Sequence, residues 1–111
     1  MGKARYVAYV GTYTHGKSKG IHVYDVDVEE GTLQERCEVQ VSNSSHVALS
    51  KNGKYLYSIE DEGVAVFARD KIGNLRRINS VDIDGMRGCF LSTDYEGKYL
   101  FVGGYHDGKV T

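Results

Sequence analysis

The sequence contains no proline and no tryptophan, and it has only two cysteines, Cys37 and Cys89. Two cysteines so far apart are too few for a disulfide framework or a structural zinc site. We therefore expect two reduced thiols, no metal and no cofactor. That cysteine usage is typical of a cytoplasmic protein, which is the location we predict.

The chain also lacks an excess of charge and a long apolar run. Its formal net charge is −1, whereas a nucleic-acid-binding protein normally carries a basic stripe and a membrane-surface protein a polybasic cluster. No run of about 18 apolar residues exists that could span a membrane. Residues 1–5 lead into a strand pattern without the apolar segment of a signal peptide, so we expect none.

The residues that are abundant suit strands and tight turns: nine tyrosines and fourteen glycines. Three sequence patterns recur along the chain, and the offsets between copies are about 42 to 49 residues. That spacing is typical of one four-stranded β-propeller blade. The copies are an aromatic strand at residues 5–10, 54–59 and 98–102, a glycine-initiated strand with its turn at 20–33 and 63–75, and a third segment at 45–53 and 88–97.

The predicted fold is all-β, a β-propeller of four-stranded antiparallel blades, with strands named a to d from the central axis outward. The first strand d, at residues 33–41, alternates apolar and polar residues, as a strand with one solvent-exposed face should. The strands at 55–59 and 99–102 are apolar on both faces, as strands between blades should be. No segment shows the period of an amphipathic helix. The pattern predicts strand a at 45–50 and 88–93, b at 6–11, 55–60 and 99–103, c starting at Gly20, Gly63 and Gly108, and d at 33–41 and 75–83.

The chain holds about two and a half blades: strands b, c and d at residues 5–43, a second blade at 44–84, and a partial third blade at 85–111. A propeller closes with about 4–8 blades, so this chain alone would leave blade faces and strand edges bare. We therefore predict an N-terminal fragment of a longer chain. The alternative is a piece that self-associates through its exposed blade edges to complete the ring.

Strand order places the b–c and d–a loops at one end of the blades, and this end holds three of the four histidines. His106 is a candidate general acid or base because imidazole titrates near neutral pH, although it can equally be a loop-tip histidine. Glu60 ends a strand b and could assist attack by water. Its neighbours Asp61 and Glu62 also fit a solvated acidic turn.

Four further side chains at this end are candidates for substrate binding. Arg87 can clamp a phosphate or carboxylate with its planar guanidinium, or can be a surface arginine. His46 opens an inner strand and either contacts a ligand or satisfies a backbone group. Tyr13 and Tyr105 lie in b–c loops. The histidines do not show metal-site spacing, and Cys89 has no neighbouring base that would make it a nucleophile.

Specific motifs carry a family resemblance over nearly the whole chain. They are Val-Gly-Thr-Tyr-Thr at 10–14, the segment 20–27, the Gly-Lys-Tyr-Leu turns at 53–56 and 97–100, and Tyr-His-Asp-Gly at 105–108. Together they resemble the N-terminal third of the bacterial 6-phosphogluconolactonase-type lactonases, which are seven-bladed propellers. The resemblance implies hydrolysis of a small sugar-acid lactone, 6-phosphogluconolactone, to 6-phosphogluconate in the pentose phosphate pathway.

The same resemblance assigns roles to the candidates. His106 or Glu60 would activate water, Tyr105 would donate to the developing oxyanion, and Arg87 with Lys17 and Lys19 would bind the phosphate.

Three positions depart from the family pattern. Residues 43–46 lack the usual proline, Phe90 replaces a histidine of the second inner strand, and Gly104 replaces an asparagine before Tyr105. These departures favour alternatives: a related lactonase or muconate-type cyclase with another substrate, or a non-catalytic propeller that binds a small molecule or protein at the same end. In each case we expect the isolated fragment to be inactive, because a channel site needs loops from most blades.

Overall fold

The computed structural model describes residues 6–111 and places nine β-strands in three antiparallel sheets. The first sheet has the order β1-β2-β3, the second β4-β5-β6-β7 and the third β8-β9. No helix that could cross a bilayer occurs within the described residues. The strands are β1 (Tyr6–Val10), β2 (Gly20–Asp27), β3 (Thr32–Gln40), β4 (Val47–Leu49), β5 (Tyr55–Glu60), β6 (Gly63–Arg69), β7 (Leu75–Asp82), β8 (Phe90–Thr93) and β9 (Leu100–Gly103).

The three sheets correspond to the predicted blade pattern. β4 to β7 form a complete blade in the order a-b-c-d, β1 to β3 form b-c-d, and β8 and β9 form a and b. The all-β prediction and the antiparallel pairing are confirmed. The start of the first predicted unit at residue 5 lies outside the described residues.

Two predictions need correction at their ends. The inner strands are shorter than predicted, beginning at Val47 and Phe90, because only one further backbone bond precedes each: Ile59 N donates to His46 O and Cys89 N to Gly103 O. The predicted third strand c at Gly108 is reduced to a single bridge between Gly103 and Val110.

The hydrophobic core lies between the blades. One buried cluster joins β2 to the second blade and contains Ile21, Val23, Val41, Leu56, Ala65 and Phe67. A second joins the second blade to the third and contains Ile59, Val64, Leu91 and Val102. Because side chains of a strand alternate between faces, Leu56 and Ile59 of β5 serve opposite interfaces.

The outer strands carry matching irregularities. β3 and β7 are largely exposed, and each contains a β-bulge opposite the equivalent point of strand c, at Val23/Tyr24 and at Val66/Phe67. An extra residue therefore lies in each outer strand, Arg36 in β3 and Ile78 in β7. Bulges re-aim side chains and increase local twist.

Candidate active site

Hydrogen bonds join the b–c and d–a loops of successive blades into one layer. Thr14 N, in the β1–β2 loop, donates to Asn43 Oδ1 of the β3–β4 loop at 2.7 Å. Asn43 Nδ2 donates to Asp61 Oδ1 of the β5–β6 turn at 2.8 Å, and Arg87 of the β7–β8 loop donates to the same oxygen at 3.1 Å. The predicted clustering of these loops at one end is thus confirmed.

Asn43 is the buried link of this layer. Its φ of 50° lies in the left-handed region, which asparagine tolerates better than most residues, and the residue is only 7% exposed. Its side-chain oxygen accepts from both the backbone and the hydroxyl of Thr14, while its amide donates to Asp61. Asn43 therefore fixes the position of the Asp61 carboxylate relative to the first blade.

Arg87 is brought to Tyr13, so two of the predicted binding residues meet. The Arg87 Cζ lies 5.4 Å from the centroid of the Tyr13 ring, which is a cation–π arrangement. The hydrogen bond from Asn43, and then that from Arg87, lowers the pKa of Asp61 from its ordinary value of 3.8. The carboxylate is therefore ionised at neutral pH and remains a charged partner of Arg87.

Tyr105 and His106 are presented together on the loop after β9. Their ring centroids are 5.6 Å apart in an edge-to-face arrangement, and both residues are exposed. Asp107 shapes this loop, because its carboxylate accepts from Met86 N at 3.0 Å and from Lys109 N at 3.2 Å. The backbone bond from Met86 is the main cause that lowers the pKa of Asp107.

The departure at Gly104 has a local reason. A Cβ on Gly104 would lie 2.6 Å from Asp107 Oδ1, so the carboxylate that organises the loop occupies the space of a side chain. The small residue and the aspartate therefore belong together.

Glu60 and His46 make their side-chain contacts with residues other than Arg87 and Tyr13. Glu60 Oε1 accepts from Arg77 Nη1 at 3.2 Å and lines an open groove of about 340 Å³, with Asp61, Glu62 and Asp82 among its other residues. So many carboxylates disfavour an anionic ligand in that groove. No hydrogen bond or ring contact joins Glu60 to His106 within residues 6–111.

His46 satisfies a backbone group, as one of its two sequence interpretations predicts. Its Nδ1 accepts from Leu91 N at 3.1 Å, so neutral His46 carries its proton on Nε2. Phe90, at the position where a histidine was expected, lies 4.5 Å from the imidazole, centroid to centroid, and is 56% exposed. His46 is thus a potential donor beside an apolar ring.

The residues that organise this end were missed at the sequence level. Asp61 was interpreted as part of a solvated acidic turn, and Asn43 and Asp107 were not singled out. Asn43 and Asp107 each occupy a loop next to glycine, serine or threonine, which is the composition of side-chain-to-backbone hydrogen bonding and the available signal. Residues 6–111 contain no group of three His, Cys, Asp or Glu side chains that could hold a metal ion.

Comparison with known proteins identifies a family. A family model described as "Lactonase, 7-bladed beta-propeller" matches residues 7–111. A 6-phosphogluconolactonase of Bacillus subtilis is 39% identical over 96% of this chain and 32% of its own length, and one of Formosa agariphila is 38% identical over 93% and 32%. The chain therefore spans about a third of the length of these curated relatives.

Solved structures agree with this fold. A Bacteroides fragilis protein provisionally assigned as a 6-phosphogluconolactonase superposes with a TM-score of 0.82 at 29% identity, over 96% of this chain and 34% of that one. The Pseudomonas aeruginosa periplasmic gluconolactonase gives a TM-score of 0.82 at 24% identity, over 96% and 36%, a likeness of fold.

Proposed function

Because the chain belongs to the seven-bladed β-propeller lactonase family, we propose that it is the N-terminal third of a lactonase that hydrolyses 6-phosphogluconolactone to 6-phosphogluconate. The observation that carries the proposal is the match over residues 7–111 together with two relatives of that name at 39% and 38% identity. The remaining blades would complete the site, and the reaction would belong to the pentose phosphate pathway.

The reaction opens a cyclic ester. Water attacks the lactone carbonyl and loses a proton to a base, the carbonyl oxygen becomes an oxyanion, and the ring oxygen leaves as an alcohol after protonation. In our proposal His106 takes the proton of water, Tyr105 donates to the oxyanion, and Arg87 binds the phosphate. His46 Nε2 offers a further donor to the substrate. Glu60 is the weaker candidate base, because Arg77 already occupies its carboxylate.

The test uses the complete polypeptide and a 6-phosphogluconolactone hydrolysis assay. We expect His106→Ala to lower kcat by about 10²- to 10⁴-fold, the usual contribution of a general acid or base. The comparison variant is His15→Ala, a histidine in another loop of the same end, for which we expect a much smaller loss. Undiminished turnover by His106→Ala would remove His106 from the mechanism, and absence of lactonase activity in the wild type would refute the proposed reaction.

A second candidate function is supported by Phe90. A half-exposed phenyl ring beside His46 makes this part of the loop end less polar than a pair of histidines would. That difference favours a related lactonase or muconate-type cyclase for another lactone, or a propeller that binds without catalysis. A panel of phosphorylated, unphosphorylated and alkyl-substituted lactones separates these options. Ligand-induced thermal stabilisation without turnover would favour the binding protein.

We also propose a cytoplasmic location, supported by two free and exposed thiols, Cys37 and Cys89. One protein of the same fold, the Pseudomonas aeruginosa gluconolactonase, is periplasmic. Fractionation of cells that express the complete protein tests this assignment, and recovery from the periplasm would refute it.

A further inference from the structure

Arg87 is fixed on two sides while part of its guanidinium stays available. Nη1 donates to Asp61, the Tyr13 ring lies against the planar group, and the side chain is 26% exposed. A guanidinium has five N–H donors. Within residues 6–111, neither Nε nor Nη2 of Arg87 donates a hydrogen bond to any residue. The Nε–Nη2 edge of the guanidinium is therefore available to a ligand.

Asp61 is itself held, which distinguishes this pair from an ordinary surface ion pair. Asn43 donates to the same oxygen that Arg87 uses, and Asp61 N donates to Ser42 Oγ at 3.2 Å. Asn43 is buried and anchored to Thr14. The orientation of Arg87 is therefore determined by a buried amide through one carboxylate, with contributions from four loops.

We propose that the free edge of Arg87 binds the phosphate monoester of the substrate and that Asp61 is the positioning residue that holds Arg87 for this contact. A guanidinium that a carboxylate orients along one edge presents a pair of N–H donors along its other edge. Those two donors can bind two oxygens of a phosphate group. Asn43 and Tyr13 support this orientation from the first blade. The inference rests on the proposed lactonase function for its substrate but not for the anion site itself.

Steady-state kinetics of the complete protein test the proposal with two substrates, 6-phosphogluconolactone and unphosphorylated gluconolactone. We expect Arg87→Met to raise KM for the phosphorylated lactone by about tenfold or more, and Asp61→Asn by a smaller factor, with kcat nearly unchanged. Neither variant should alter KM for gluconolactone. Arg87→Lys, which keeps the charge and loses the fork, should fall between wild type and Arg87→Met.

The matched control is Glu62→Gln, which removes a carboxylate next to Asp61 in the same turn and should leave both KM values unchanged. Circular dichroism and thermal unfolding confirm that each variant is folded. Equal losses on both substrates, or a loss confined to kcat, would assign Arg87 and Asp61 a general structural role and overturn the proposal. An unchanged KM in Arg87→Met would do the same.

Titration calorimetry separates this inference from the proposed reaction. If the complete protein hydrolyses no lactone, binding of inorganic phosphate is measured instead. Binding by the wild type that is lost in Arg87→Met and weakened in Asp61→Asn would support the anion site although the lactonase proposal had failed. Absence of phosphate binding, or binding that Arg87→Met leaves unchanged, would overturn it.

Discussion

Asp107 illustrates how a single carboxylate sets the shape of a functional loop. It accepts from the backbone of Met86, in the loop that precedes the third blade, and from Lys109, two residues further along its own loop. Tyr105 and His106 immediately precede Asp107 in this loop and make no comparable hydrogen bond of their own within residues 6–111. Their presentation therefore depends on Asp107 being ionised.

We predict that this loop loosens in acid. The pKa of Asp107 is lowered from its ordinary value of 3.8, so the ionised form stabilises the loop above that value, and the contribution disappears as the pH falls through the lower folded pKa. In an NMR titration the Met86 and Lys109 amide protons should shift together with a midpoint below 3.8. Asp107→Asn should abolish this pH dependence of the two amide shifts. A midpoint at or above 3.8 in the wild type would contradict the prediction.

At this scale the sequence indicated which residues could act but not which residues hold them. Imidazole, guanidinium and phenol groups are recognisable from residue type, so His106, Arg87 and Tyr105 could be nominated. Asn43 and Asp61 act through contacts between residues 18 positions apart, and Asp61 with Arg87 through 26. Such pairings follow from how blades pack, which local composition does not specify.

The bulges of the outer strands link neighbouring elements. Arg36, the extra residue of β3, pairs with Asp25 of β2 and donates through Nη1 to Ile72 O at 2.6 Å and Asn74 Oδ1 at 2.9 Å. The last two acceptors belong to the β6–β7 turn of the next blade. The bulge thus places Arg36 where it contacts both the first and the second blade, at the end opposite to the candidate site.

We predict that Arg36→Met destabilises the complete protein by about 1 kcal/mol, because the hydrogen bonds of a charged group are lost at a partly exposed position. Urea unfolding of both proteins measures the change. Arg76→Met, at an exposed arginine of β7, is the matched control and should stay within about 0.5 kcal/mol of wild type. An equal loss in both variants would show that the bulge contacts contribute nothing specific.

Element identity was predictable because the inner strands and outer strands differ in pattern. Period-two alternation with one polar face marks β3, while apolar residues on both faces mark β5 and β6, whose two sides pack against different blades. The bulges were not predictable. An inserted residue such as Arg36 leaves the alternation locally ambiguous, and only the pairing partner shows where the register shifts.

For the whole molecule, the repeat length was the decisive signal, since offsets of about 42 to 49 residues shared by different strand types are typical of a repeated four-stranded unit. The blade order followed from it, and the interblade core followed from the two apolar faces. A seven-bladed propeller has further blades that line its channel, and the chain spans about a third of the length of its curated relatives. The structure shows which faces of the described blades adjacent blades would cover.

Two blade faces of this chain lack a neighbour within residues 6–111. On β1, Val7 and Tyr9 pack toward the second blade, which leaves Tyr6 and Val10 on the opposite face, 54% and 42% exposed. On β9, Val102 is buried against the second blade, which leaves Phe101 on the far face, 47% exposed. In a closed propeller both faces would be covered by adjacent blades, and apolar faces of this kind promote association when bare.

We therefore predict that residues 1–111 produced alone associate with increasing concentration, whereas the complete protein does not. Light scattering should give a mass above the 12.3 kDa of one chain, and Phe101→Glu should shift it toward the monomer by placing a charge on the bare face. Ile72→Glu changes an equally apolar side chain that is 65% exposed on a β-turn and should leave association unaltered. A monodisperse 12.3 kDa species at high concentration would contradict the prediction, because the exposed blade faces would then remain in contact with water without causing association. A compact assembly with several copies would mean instead that blade faces of this chain recognise one another as they would their natural neighbours.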